Sequence, residues 1–184
     1  MNIVKTPIKD CVVIEPRVFD DNRGYFFESF NQKTFSEITG HHIPFVQDNQ
    51  SYSTRGTLRG LHLQKGEYAQ SKLVRVTLGE VLDVAVDLRK ASATYGQHYS
   101  VILSETNHRQ FFVPRGFAHG FVVLSEVAVF QYKCDNYYNK SAEGGIHYSD
   151  PVLNIDWSFN DDELIVSDKD KELPFFNSLD NFGF

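Results

Sequence analysis

The chain has little cysteine, little positive charge and no long apolar run, and each shortage closes off a class of function. Its two cysteines, Cys11 and Cys134, stand among 184 residues. They form no CxxC or Cys/His ligand spacing, so neither a disulfide framework nor a zinc knuckle is expected, and both read as buried thiols. Lys and Arg number 18 against 24 Asp and Glu, a formal net charge of −6, which argues against sequence-independent binding of nucleic acid or of a membrane surface. Any anion must be held locally. No apolar run approaches the roughly 18 residues of a membrane span, and the start, Met1 to Lys5, lacks the apolar stretch of a signal peptide. A cytoplasmic location is expected, and the Asn-x-Ser matches at Asn49 and Asn139 are read as chance. No GxGxxG, Walker A or GxSxG motif is present, which leaves bound dinucleotide, P-loop chemistry and α/β-hydrolase catalysis without support.

What the chain does have is aromatic and β-branched residues. Sixteen Phe, nine Tyr and a hydrophobic fraction of 41% suit a single domain over residues 1–184 with a core large enough to need no staples. One helix is expected, around Gln32 to Thr39, with Phe35 and Ile38 on one side and Gly40 as its stop. Leu73 to Leu88 reads as two β runs hinged at Gly79-Glu80, a hairpin. In the second run Leu82, Val84, Val86 and Leu88 share one face while Asp83, Ala85 and Asp87 share the other, the side that could line a cavity. Further strands are expected at Tyr99 to Ser104, Phe111 to Val113, Phe117 to Leu124 and Val127 to Cys134. Many short strands with one early helix give a mainly β fold, an antiparallel barrel or jelly roll with its binding site in the lumen.

Chemistry converges on His62, which follows Arg59-Gly60-Leu61 and precedes Leu63-Gln64, with Lys72 beyond. Leu58, Leu61 and Leu63 anchor the segment to the core. An imidazole between cations is a means of placing a base before an anionic substrate, against the plainer reading of a half-buried structural histidine. His119 lies in Pro114-Arg115-Gly116-Phe117-Ala118-His119, with Asp83 as a carboxylate that could orient it. Tyr132 shares strand parity with Ala128, Phe130 and Cys134, a core position that gains interest as a phenolic acid opposite a base. Asp170 and Lys169 fall in the charged run Ser167 to Glu172, of a kind that is usually solvated surface. Pro-x-Gly-x-x-His resembles the second half of a cupin metal signature. The first half should supply a second ligand two residues after its histidine, where this chain has the amide of Gln64, so no catalytic metal is expected.

Together these stretches resemble the dTDP-4-dehydrorhamnose 3,5-epimerases, a cupin-type family. The likeness runs from Phe19 to Pro174. It is carried by Phe19 to Glu28, Gln47 to Ser51, Leu58 to Gln64, Lys72 to Val76, Asp83 to Arg89, Pro114 to Phe121, Tyr132 to Cys134, Tyr137-Tyr138, Glu143 to Ile146 and Ser167 to Asp170. The resemblance implies inversion of the two carbons beside the C4 ketone of a dTDP-4-keto-6-deoxy sugar, with no cofactor. By it, His62 is the base, Asp170 holds its tautomer, Tyr132 is the acid on the other face and Lys72 meets the enolate oxygen. Arg23 and Arg59 then hold the diphosphate, and Tyr138 stacks on thymine. Glu28, Gln47, Asp48, Asn49, His119, Glu143 and Lys169 complete the binding set, with Asp83 orienting His119. The family also implies a homodimer that exchanges N-terminal segments. Beside this stand an epimerase that inverts one carbon only, a metal-dependent cupin enzyme, and a non-catalytic module that binds nucleotide sugars.

Overall fold

The computed structural model describes residues 1–178. In chain order its first half holds β1 (Asn2–Lys5), β2 (Val12–Glu15), β3 (Phe19–Asp21), β4 (Gly24–Phe26), α1 (Gln32–Thr39), β5 (Gln47–Thr54), β6 (Thr57–Gln64) and β7 (Lys72–Leu78). There follow β8 (Glu80–Asp87), β9 (His98–Ser104), β10 (Gln110–Val113), β11 (Phe117–Val123), β12 (Val127–Cys134), β13 (Glu143–Gly145), β14 (Ile165–Val166) and α2 (Asp168–Lys171). One sheet runs β1-β2-β10-β7-β12-β5 and the other β13-β6-β11-β8-β9, antiparallel throughout except where β14 joins β6 in parallel. The expected β jelly roll with its early helix is what forms.

Three apolar layers follow from period-two alternation. Inward residues of both sheets, among them Val74, Val76, Val81, Phe111, Phe121, Val123 and Phe130, make the central core. The outer face of the second sheet buries Leu58, Leu61, Leu63, Leu82, Val84 and Val86 beneath Leu153 and Trp157 of the later chain. The outer face of the first sheet is covered by α1, whose Phe35 packs with Ile14, Leu73 and Phe112. Burying Phe35 contributes about 1.5–3 kcal/mol. Asn31 caps the helix by accepting from Thr34 N at 3.2 Å, and Gly40 ends it at φ +74°. Cys11 and Cys134 are buried and unpaired.

The expected hairpin between β7 and β8 does not form. Both strands exist, but β7 lies between β10 and β12 while β8 lies between β11 and β9, so residues 78–80 turn a corner from one sheet to the other. Gly79, at φ +76°, makes that corner where a Cβ would lie 2.0 Å from Val127 O. The corner joining β11 to β12 packs on it through Ser125 Oγ, which accepts from Glu80 N at 2.8 Å. A third corner, between β5 and β6, is tied in by Arg55 N to Glu126 O and Gly56 N to Val123 O.

Candidate active site

Strict alternation would turn Arg59 and His62 to opposite faces of β6, because they are three residues apart. A β-bulge brings them to the same one. The ladder to β11 pairs His119 with His62 but Phe121 with Arg59, so β6 spends three steps where β11 spends two. Gly60 takes φ +144° there, and its ideal Cβ would lie 2.6 Å from the Cα of Gly120. Leu58, Leu61 and Leu63 remain in the outer core. The same bulge frees the N–H of Gly60, which donates to Asp170 Oδ2 at 3.3 Å.

Asp170 reaches this point because β14 runs parallel to the start of β6, pairing Ile165 with Thr57, and delivers the chain into α2. It is 4% exposed, so one member of the charged run is core rather than solvated surface. His62 Nε2 lies 2.7 Å from Asp170 Oδ1. Burial pushes the Asp170 carboxyl up, but the His62 ring, the Gly60 N–H and Ser167 outweigh it and hold the group below the usual carboxylate range. An ionised carboxylate accepts only, so Nε2 carries a proton, and in the neutral ring the lone pair is then on Nδ1.

Tyr132 belongs to the opposite sheet, where β12 pairs it with Asn49 of β5 and Val74 of β7. Two adjoining cavities, of about 560 and 600 Å³, share His62, Lys72, Tyr132, Asn49 and Lys169 in their walls. Burial raises the Tyr132 phenol, with Cys134 adding to the rise and Arg59 opposing it, so the group stays a proton donor. Lys72 spans the two sides: its Nζ approaches His62 O at 3.4 Å and lies 5.9 Å from the centre of the Tyr132 ring. Loss of solvation lowers its ammonium pKa. The floor is aromatic, with Phe121 and Phe130 stacked at 4.1 Å across the sheets.

His119 and Asp83 form a second pair, Nε2 to Oδ1 at 2.9 Å, with Asp83 fully buried and His119 nearly so in the wall of the larger cavity. Burial lowers His119 and raises Asp83, so both shifts favour the uncharged forms. Arg59 donates through Nε to Ser53 Oγ at 3.0 Å and lines the larger cavity. At the mouth of the other, Glu143 lies beside the Tyr138 phenol and pairs with Lys169, and Gln47 Nε2 donates to Asn49 Oδ1 at 3.0 Å. The Tyr138 phenol is raised chiefly by Glu143. Among the described residues no group of three or more His, Cys, Asp or Glu side chains is placed to hold a metal ion.

The sequence and the fold have known relatives. A family model described as dTDP-4-dehydrorhamnose 3,5-epimerase matches residues 5–178. The chain belongs to that family. The curated epimerase of that name from Escherichia coli (strain K12) is 52% identical over 179 residues, 97% of this chain and 96% of the relative. A solved dTDP-4-dehydrorhamnose 3,5-epimerase from Elizabethkingia anophelis NUHP1 superposes with TM-score 0.93 at 58% identity, covering 96% of this chain and 97% of its own. The dTDP-6-deoxy-D-glucose-3,5-epimerase from Legionella pneumophila Philadelphia 1, solved with dTDP-4-keto-L-rhamnose, gives TM-score 0.93 at 49% identity over 97% and 94%.

Three residues that the epimerase resemblance assigns to the ligand lie away from these cavities within the chain. Asp48 alternates outward on β5 between Gln47 and Asn49 and pairs with Lys133 at 2.9 Å. Arg23 sits at the tip of the β3–β4 ribbon, its side chain 85% exposed and paired with Asp21. Glu28 accepts from Asn31 Nδ2 at 3.2 Å beside the helix cap. In the other direction, sequence reasoning missed the bulge at Gly60 and the use made of Gln64, whose Oε1 accepts from Asn139 N at 2.8 Å. A glycine inside an otherwise apolar strand run was the available sign of the bulge.

Proposed function

We infer that the chain inverts C3 and C5 of dTDP-4-dehydro-6-deoxy-D-glucose to give dTDP-4-dehydro-L-rhamnose, an isomerase step of dTDP-L-rhamnose biosynthesis. The observation that carries this reading is the base and the acid on opposite walls of one cavity: His62 from the second sheet, Tyr132 from the first, with Lys72 between them. Inversion beside a ketone requires a proton to leave from one face and return to the other. His62 Nδ1 takes the proton, and Asp170 stabilises the imidazolium without itself being protonated. A neutral imidazole is too weak a base for an ordinary ketone. The Lys72 ammonium offsets this by pairing with the developing enolate oxygen, where one well-placed donor is worth about 3–4 kcal/mol. Tyr132 returns a proton from the far side. Arg59 holds diphosphate, Gln47 and Asn49 bind at the sugar and nucleotide, and Tyr138, with Glu143 and Lys169 behind it, stacks on the base.

Turnover in D2O followed by product NMR tests the assignment. Deuterium at both C3 and C5 is expected, and label at one carbon alone would mean a single-carbon epimerase. Tyr132→Phe should exchange label while forming little inverted product.

A homodimer with exchanged N-terminal segments accounts for Arg23 and Glu28. Its support is the ribbon itself, where Phe19, Tyr25 and Phe26 are 50%, 59% and 70% exposed. If Arg23 serves the partner's site, mixing His62→Ala and Arg23→Ala protomers regenerates one intact site in each mixed dimer, about a quarter of wild-type activity. Two variants that stay inactive together would place Arg23 in its own chain's site.

A further inference from the structure

The segment from Tyr137 to Asn139 leaves the end of β12 and crosses the cavity mouth before the short helical turn Lys140–Ala142. It belongs to no ladder, yet the backbone N–H groups of two successive residues are both taken. Tyr138 N donates to Gln47 Oε1 at 3.2 Å, and Asn139 N donates to Gln64 Oε1 at 2.8 Å. Gln47 comes from the first sheet and Gln64 from the second. The Tyr138 backbone is therefore pinned from both sheets, while its ring stays half exposed over the cavity. Only an amide oxygen can accept from a backbone N–H, so the orientation of Gln64 is fixed by its partner. The side chain is 6% exposed and stands at the last residue of β6, opposite Glu143 of β13. Its fixed strand position makes it a rigid post for an otherwise unladdered loop.

We propose that Gln64 is a positioning residue for nucleotide binding: it holds the Asn139 amide so that the Tyr138 ring stands where a nucleobase can stack on it. The proposal rests on the reading of Tyr138 as the stacking ring. It also explains what an amide does where a metal-binding cupin would place a ligand. A carboxylate or imidazole at position 64 would lose either the neutral acceptor or its reach to Asn139 N.

The test is dTDP affinity by calorimetry, with steady-state kinetics, on Gln64→Leu, Tyr138→Ala and the double variant. Gln64→Leu should weaken dTDP binding and raise KM about three- to tenfold, the loss of one hydrogen bond's ordering effect, while kcat changes less than twofold. In the Tyr138→Ala background the same substitution should change affinity by less than twofold, because the ring it positions is gone. Amide exchange by NMR should show protection lost at Asn139 in Gln64→Leu and kept in Gln64→Glu, which retains an acceptor and guards against a leucine variant that folds poorly. If Tyr138→Ala binds dTDP as tightly as wild type, the stacking reading fails and the proposal falls with it. If Tyr138→Ala weakens binding and Gln64→Leu does not, or if the two losses simply add, the positioning role alone is overturned.

Discussion

Two histidine–aspartate pairs stand side by side in this barrel, and their backbones are register partners across one ladder, His62 opposite His119. The pairs have almost the same contact length, 2.7 Å and 2.9 Å. Their surroundings differ. The His62 side chain is 40% exposed to the cavity, and its ring, the Gly60 N–H and Ser167 together hold the Asp170 carboxyl below the usual carboxylate range. The His119 side chain is 6% exposed and Asp83 not at all, and burial drives both toward neutrality. The same two residue types therefore give an imidazole open to the cavity in one case and one almost buried at the wall of that cavity in the other. What separates them is solvent access and the neighbours of the carboxylate.

The comparison is broken most forcefully by treating the two carboxylates alike. Asp170→Asn should preserve the geometry but favour the wrong imidazole tautomer, lowering deuterium exchange by about 10⁴-fold. Its effect on stability should be smaller than that of Asp83→Leu, because Asn keeps an oxygen for the Gly60 N–H and the imidazole it faces is 40% exposed. Asp83→Leu should do the reverse in urea unfolding. It leaves a buried imidazole N–H without an acceptor, at a cost of about 3 kcal/mol. Adding His119→Phe should recover most of that loss, since replacing both buried partners by apolar groups is near neutral. Equal destabilisation by Asp170→Asn and Asp83→Leu would remove the distinction.

How far this contrast could be read from sequence depends on which pair is considered. Asp83 and His119 sit on neighbouring strands with regular alternation, so parity alone turned both toward the lumen, and the ladder of β8 with β11 supplies the contact. Arg59 and His62 defeat parity, because a single extra residue at Gly60 reverses every later side chain and period-two patterns carry no mark of it. Asp170 was legible only by family resemblance. Its neighbours Asp168, Lys169 and Lys171 are exposed as a charged run should be, and the parallel β14–β6 pairing that buries it joins residues more than a hundred positions apart. The corner at Gly79 was misread for a related reason. Alternation identifies strands but not the sheet each one joins, and a glycine with positive φ serves a hairpin or a sheet-changing corner equally well. Asp48 was grouped with Gln47 and Asn49 although its parity turns it outward.

Lys72 sharpens the comparison because it senses the two carboxylates unequally. Loss of solvation lowers its pKa, while Cys134 and, after it, Asp83 work in the opposite direction. Burial raises Tyr132 at the same time. The ordinary values of the two groups lie close together, about 10.4 and 10, and the two shifts run in opposite directions. On the role proposed for Lys72, the alkaline limb of the exchange rate should follow loss of its ammonium proton. Tyr132→Phe should leave that limb in place, and Lys72→Arg should move it beyond the measurable range. Asp83→Asn removes a carboxyl that raises the Lys72 pKa to the extent that it is ionised, so any movement of the limb should be to lower pH. Asp170→Asn, followed by long incubation in D2O to compensate for its low rate, should leave the limb where wild type has it. A limb that shifted with Asp170 and not with Asp83 would show that the enolate-side cation is coupled to the exposed pair, and would reverse the roles assigned to the two.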